Sequence, residues 1–239
     1  MKLFRKMRQT LIDEGKLKKY LFYATGEILL IMLGILLAFQ INNWNTLRNK
    51  KKAEIQYYQN IKRQLNEDIP SIRGNIEYNQ LYLNQYEYAT QIIEANDRSK
   101  IDTLVVISIN LTKFSDFHRK SNIFETMVNS GEIMLLKNKR IIERLQRLEE
   151  TYIYINRLES SHFELTKLYI GPVLSKNIKL LSAEVKNPDQ LFEFEFQNRF
   201  VVSMAVMIEK HEIYTRALNE INEIIALINE EINSEKDQK

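Results

Sequence analysis

In this chain of 239 residues, the spacing that most suggests side-chain chemistry is Glu159-Ser-Ser-His162. Residues three apart share a helix face, so the carboxylate and the imidazole would converge. Helical bundles hold di-metal centres with two such E-x-x-H pairs and two further carboxylates. The second pair is missing, because Ile208 stands three residues before His211. Still, His162 and His211 both fall on apolar stripes, and Glu159, His162 and His211 form the one metal arrangement worth testing. The simpler expectation is two hydrogen-bonded core histidines and no cofactor. Cysteine is absent, which removes thiol nucleophiles, thiolate ligands and disulfides. The chain has no G-x-S-x-G, no phosphate-cradling glycine loop and no nucleotide fingerprint. Its 31 acidic residues, spread over polar helix faces, single out no catalytic pair. The expectation is a protein that is not an enzyme.

Three long segments must position these residues. The first carries Leu65, Ile69, Ile72, Ile76, Asn79, Leu83, Tyr86, Thr90 and Ile93. The second carries Ile141, Leu145, Leu148, Tyr152, Ile155, Glu159, His162, Thr166 and Tyr169. In the third the series is Phe200, Met204, Met207, His211, Tyr214, Leu218, Ile221, Ile225, Ile228 and Ile232. Steps of four and three repeat every seven residues, the seam of helices packed at shallow angles. Flanking Ile142, Leu158, Leu165, Ile224 and Leu227 widen the stripes toward a bundle core. Tyr78, Tyr82 and Tyr86 form a further stripe, expected in the core. Pro70 inside the first series predicts a kink. A short helix is expected from about Ser121 or Asn122 to Gly131, a natural C-cap residue. "GP" at 171–172 is read as the end of the second helix. Periodicity leaves 101–112 open between helix and strand, and "LFEFEF" at 191–196 alternates like a strand but should lead into the third helix.

Tyr20 to Ile41 is 22 residues with only Thr25, Glu27 and Gln40 strongly polar. As a helix it spans roughly 33 Å, matching a hydrocarbon core of about 30 Å. Tyr20 and Tyr23 at one end and Trp44 at the other suit the interfacial aromatic belts. Seven basic residues precede the span, and Arg48, Lys50, Lys51 and Lys52 follow it. That bias predicts a cytoplasmic N-terminus and an exported C-terminal part. Residues 1–52 carry a formal charge of +8 and the remainder −5. The basic character therefore belongs to the membrane-proximal segment, and a nucleic-acid partner is not expected.

The domains predicted are a short basic amphipathic segment at 1–19 with Leu3, Phe4, Met7, Leu11 and Ile12, a transmembrane helix at 20–44, and a helical domain at 45–239. The fold class is all-α: an N-terminal transmembrane helix followed by an antiparallel helical bundle with long coiled-coil-like helices. The lone carboxylate in the span has company. At 100° per residue Gly34 and Ala38 lie within about 20° of Glu27 around the helix, and Asn45 returns to its angle. Small residues four apart let helix backbones approach closely in lipid, so Glu27, Gly34, Ala38 and Asn45 are expected to form a helix-packing face; the alternative is that Glu27 snorkels to the headgroups near Lys19. The partners expected are the lipid bilayer and either a second copy or another membrane protein.

The stretch "FRKMRQTLIDEGKLKKYLFYATGEILLIMLGILLAFQINNWN" resembles the opening of an uncharacterised membrane-protein family of Bacteroidota, domain of unknown function 6090. That family begins F-R-K-x-R-Q, then K-Y-L-x-Y-A-x-G-E-I and G-I-L-x-A-x-x-I-N-N-W-N. "SNIFETMVNSGEIMLLKNKRI" at 121–141 is similar to its S-x-x-[FY]-E-x-[LM]-x-x-S-G-x-x-x-L-x-K-N segment. The resemblance implies a single-pass protein of a Gram-negative inner membrane, its C-terminal domain periplasmic, with no established activity and no catalytic residues.

Overall fold

A computed structural model describes residues 17–119 and 122–236 of the chain. The amphipathic segment expected at 1–19 lies almost wholly outside them. Two compact units divide the chain, residues 1–54 and 55–239.

The first element, α1 (Leu17–Glu94), is 78 residues long and includes Pro70 on an exposed face. Within the first unit its apolar stretch is bare: Leu30 is 73% exposed, and Phe22, Ile35, Leu37 and Phe39 are similarly open. This helix is long and apolar enough to cross a membrane. Two of its threonine hydroxyls are satisfied within the helix, Thr25 Oγ1 donating to the Leu21 carbonyl and Thr46 Oγ1 to that of Asn42, each at 2.9 Å. Such back-bonding lets polar side chains sit where water is absent.

The second unit is a bundle of four legs, and polar contacts give their directions. The first leg is α1 from Ile55 onward. A turn, in which Asp97 caps Ser99, leads into the second leg: α2 (Ile101–Asn110), extended residues 113–119 and α3 (Ile123–Ser130). This leg runs back along α1. Tyr86 Oη donates to the Asn110 carbonyl at 2.6 Å, Asn75 Nδ2 to that of Asp116 at 3.3 Å, and the Ile123 N–H to Gln64 Oε1 at 3.0 Å. Gly131 ends α3 with φ +75°. The third leg, α4 (Lys139–Leu165), starts at Asn138, whose Oδ1 accepts from the Arg140 and Ile141 N–H groups. It runs parallel to α1, with Asn138 beside Tyr58 and Tyr152 beside Asp68. After α5 (Gly171–Asn177), the paired strands β1 (Ile178–Lys179) and β2 (Glu184–Val185), and a turn of 3-10 helix, α6 (Phe194–Lys236) returns antiparallel to α4. Arg144 meets Glu220 near one end of that pair, and Tyr154 bonds Glu209 further along. The all-α expectation holds, with one two-residue strand pair. Residues 101–110 are helix, and 191–196 runs from the end of the 3-10 turn (Pro188–Phe192) into the first residues of α6.

Two apolar cores occupy the two ends of the bundle. One gathers Tyr58, Leu65, Leu145, Tyr152, Ile221 and their neighbours, and the other gathers Tyr86, Leu104, Ile170, Phe196 and Phe200. The tyrosine stripe reaches the second through Tyr82 and Tyr86: Tyr78 meets Tyr82 with ring centroids 4.7 Å apart and planes tilted by 54°, and Tyr86 packs 5.7 Å from Phe200.

Three readings need correction. The seam of α4 follows the expected series from Ile141 to Thr166, but Tyr169 is 66% exposed and Ile170 is buried instead. A π-helical turn over Thr166–Ile170 causes this, since its wider turn carries one extra residue and moves the stripe along by one. For the same reason "GP" does not stop the helix. The wide turn passes Gly171, where a Cβ would lie 3.3 Å from the Thr166 carbonyl, and Pro172 opens α5 as a helix-starting residue. The third correction concerns α6. Its buried seam runs Phe200, Ser203, Met207, Lys210, Tyr214, Ala217, Ile221, Ile224 and Ile228, with Phe196, Ile213 and Leu227 also buried, and not through Met204, His211, Leu218 and Ile225. Both series share every second member and differ by one residue at the others. Lys210, not His211, therefore faces the core.

Candidate functional site

Between the two apolar cores lies a polar layer, and the extended part of the second leg explains it. A helix satisfies its own backbone, whereas residues 114–119, after the last turn bond from the Lys113 N–H to the Asn110 carbonyl, lie in neither a helix nor a strand. The segment alternates like a strand: Ser115 and Phe117 point inward, Asp116 and His118 outward. Its buried backbone groups are met by charged side chains from two other legs. Glu159 Oε1 on α4 accepts from the Phe117 N–H at 2.8 Å, and Lys210 Nζ on α6 donates to the Ser115 carbonyl at 2.6 Å. Tyr214 Oη donates to the same Glu159 oxygen, and Ser115 Oγ donates to Asn79 Oδ1 at 2.9 Å. All four legs thus meet in one network.

Burial sets the electrostatics. Lys210 is 1% exposed, and loss of hydration pulls its pKa down to about 8 against the attraction of Glu159 and Asp116. Burial likewise raises Glu159 above the usual carboxylate range, opposed by the Tyr214 hydrogen bond, Lys210 and the Phe117 N–H. Tyr214 is raised by burial and by its bond to Glu159. His162 is wholly buried, edge-on to Phe114 at 6.2 Å. Desolvation, helped by Lys210, lowers its pKa to about 4, so the ring is neutral at pH 7. Neither ring nitrogen has a hydrogen-bond partner within the protein.

The sequence therefore located Glu159 and His162 in the core but gave them the wrong companion. His211 sits half-buried on the flank of the α6 seam. Among the described residues no group of three or more His, Asp or Glu side chains is placed to hold a metal ion. Neither histidine shows the core hydrogen bond expected of it: His162 has none through its ring, and His211 Nδ1 is also without a partner. His118 lies on the surface, 3.1 Å from Asp116. Lys210 and Asp68, the latter accepting from Tyr152 Oη at 3.2 Å, are buried charges of the second unit that sequence reasoning missed. The available signal was phase: stepping back one residue at alternate seam positions puts both on the buried face.

Beside the network lies an open groove of about 740 Å³ between α4 and the extended segment, lined by Phe114, Asp116, Asn156, Glu159, Phe163 and Lys167 among others. Phe114 and Phe163 pack edge to face at 5.6 Å along it.

A family model described as a family of unknown function (DUF6090) matches residues 27–198. The chain belongs to that family. The DUF6090 match begins at Glu27 in the apolar stretch, includes the extended segment, Glu159 and His162, and ends in the first turn of α6 before Lys210 and Tyr214. No curated protein and no solved structure matches the chain.

In the first unit, Gly34, Ala38 and Asn45 are exposed and Glu27 is half-buried. A Cβ on Gly34 would meet nothing within 4 Å, so that face is open to a neighbour. Trp44 is exposed, with the Arg48 guanidinium 5.7 Å from its ring centroid. The side chains of Tyr20 and Tyr23 lie outside those described.

Proposed function

We propose that this DUF6090 protein is a single-pass inner-membrane protein whose helical domain acts as an interaction scaffold in the periplasm. Its N-terminus lies in the cytoplasm, and it has no catalytic activity of its own. The observation that carries the reading is the bare apolar stretch of α1, none of whose most apolar 18-residue window is buried inside the protein. Surface of that kind needs lipid or another protein to cover it. The use of Glu159 and Lys210 supports the absence of catalysis, because both charges are engaged in holding backbone. In the membrane, the face bearing Glu27, Gly34, Ala38 and Asn45 packs against a second copy or a partner helix, where Glu27 avoids lipid.

The test has two arms on the full chain. A reporter active only outside the cytoplasm, fused after Lys239, should be active; activity of a cytoplasm-only reporter there would reverse the orientation. An in-membrane association assay should give a signal that Gly34→Ile and Glu27→Leu weaken, and equal monomer signal in all three would remove self-association. A second reading, a small-molecule sensor acting through a partner membrane protein, has the groove beside Glu159 in its favour.

A further inference from the structure

The polar layer holds more hydrogen-bonding capacity than the protein itself uses. Asn79 Nδ2, both ring nitrogens of His162 and Thr166 Oγ1 are buried without a partner in the chain. They are linked through the polar layer. Asn79 is tied through Ser115 to Lys210, the Lys210 charge acts on His162, and Thr166 lies one helical turn beyond His162 on the same buried stripe. Lys210 adds spare donors, since an ammonium has three N–H bonds and one recorded acceptor here, the Ser115 carbonyl. Native proteins seldom leave such groups unbonded, and clusters of them are where internal water is held.

The chemistry of the layer selects the occupant. Donors are present on Asn79 and Lys210, acceptor capacity on Thr166, and neutral His162 offers one of each. The buried charges of Glu159 and Lys210 are opposite, so the layer has no surplus that would draw an ion of either sign. A small neutral molecule that both donates and accepts satisfies the whole set. We infer that the layer between the two apolar cores is a binding site for internal water, centred on His162, Thr166 and Asn79. At about three hydrogen bonds per buried water, these four free atoms with Lys210 accommodate one or two molecules.

The full chain in detergent micelles tests this, with water itself as the probe. Oxygen-17 relaxation dispersion of the solvent counts long-lived internal waters, and the wild type should hold at least one more than His162→Phe. Water-selective NMR should give direct cross-peaks between solvent and the His162 ring protons. If His162→Phe fails to fold, the wild-type cross-peaks decide alone. A dispersion unchanged by the substitution, together with no cross-peak at His162, would overturn the inference. Ordered density of a larger solute at His162 would overturn it as well.

Discussion

Protonation of His162 should unfold this protein in acid, and the size of the effect follows from its burial. The ring is 0% exposed, and its pKa falls from 6.5 to about 4 in the fold. A folded value below the unfolded one means that the unfolded chain binds more protons between them. His162 therefore lends its full stability above pH 6.5, and that share is lost as pH falls through about 4. The gap between 6.5 and about 4, at about 1.4 kcal/mol per pH unit, gives about 3.5 kcal/mol in full, of which about 3 kcal/mol is lost by pH 4. Glu159 works in the opposite sense, because its raised pKa favours the folded form as carboxylates protonate. The wild-type profile is thus a composite, and the difference between two proteins isolates His162. His162→Phe keeps a ring against Phe114 and cannot protonate; His162→Met is the fallback if the larger ring strains the core. The assay is chemical denaturation of the full chain in detergent at a series of pH values. The variant's stability relative to wild type should climb by up to about 3 kcal/mol between about pH 7.5 and pH 4. Curves that stay parallel within about 0.5 kcal/mol over that range would refute the account.

Two further outcomes follow from the same layer and its neighbours. Glu159→Leu strands the Phe117 N–H, Tyr214 and the Lys210 charge, so it should cost about 3–5 kcal/mol; Glu159→Leu with Lys210→Met should cost less than the sum of the two single changes, read by a double-mutant cycle in denaturant. Gly131→Ala forces a Cβ onto φ +75° and should lower stability by about 1–2 kcal/mol in the same assay, with Gly131→Asn milder.

Helix existence was legible because apolar repeats of three and four dominate long segments, and the Asn122 to Gly131 helix was legible from its cap residues. Phase was harder to read. On α6 both Met204 and Ser203, or Leu218 and Ala217, are compatible with a seam, and choosing the more apolar residue each time leads to His211 rather than Lys210. Ser203 and Ala217 are the fully buried members of those pairs, and hydropathy ranks each below its neighbour. The π turn at Thr166–Ile170 left no periodic trace before Tyr169, the last residue of the series. The direction of the Glu159 side chain was equally hidden, since its partner is the backbone of a segment with no periodicity of its own.

The clamp on residues 113–119 also bears on how the helices choose their alignment. A seven-residue repeat lets α6 slide along α4 by one heptad and still set apolar side chains against apolar ones. Such a slip would carry Lys210 away from the Ser115 carbonyl while Glu159 stays behind. Each charge would then sit in the interior without its acceptor or counter-charge, at a cost of several kcal/mol. A bundle of uniform leucine layers would lack this penalty. The polar layer thus acts as a vernier mark on otherwise repetitive helices, and only one alignment closes it.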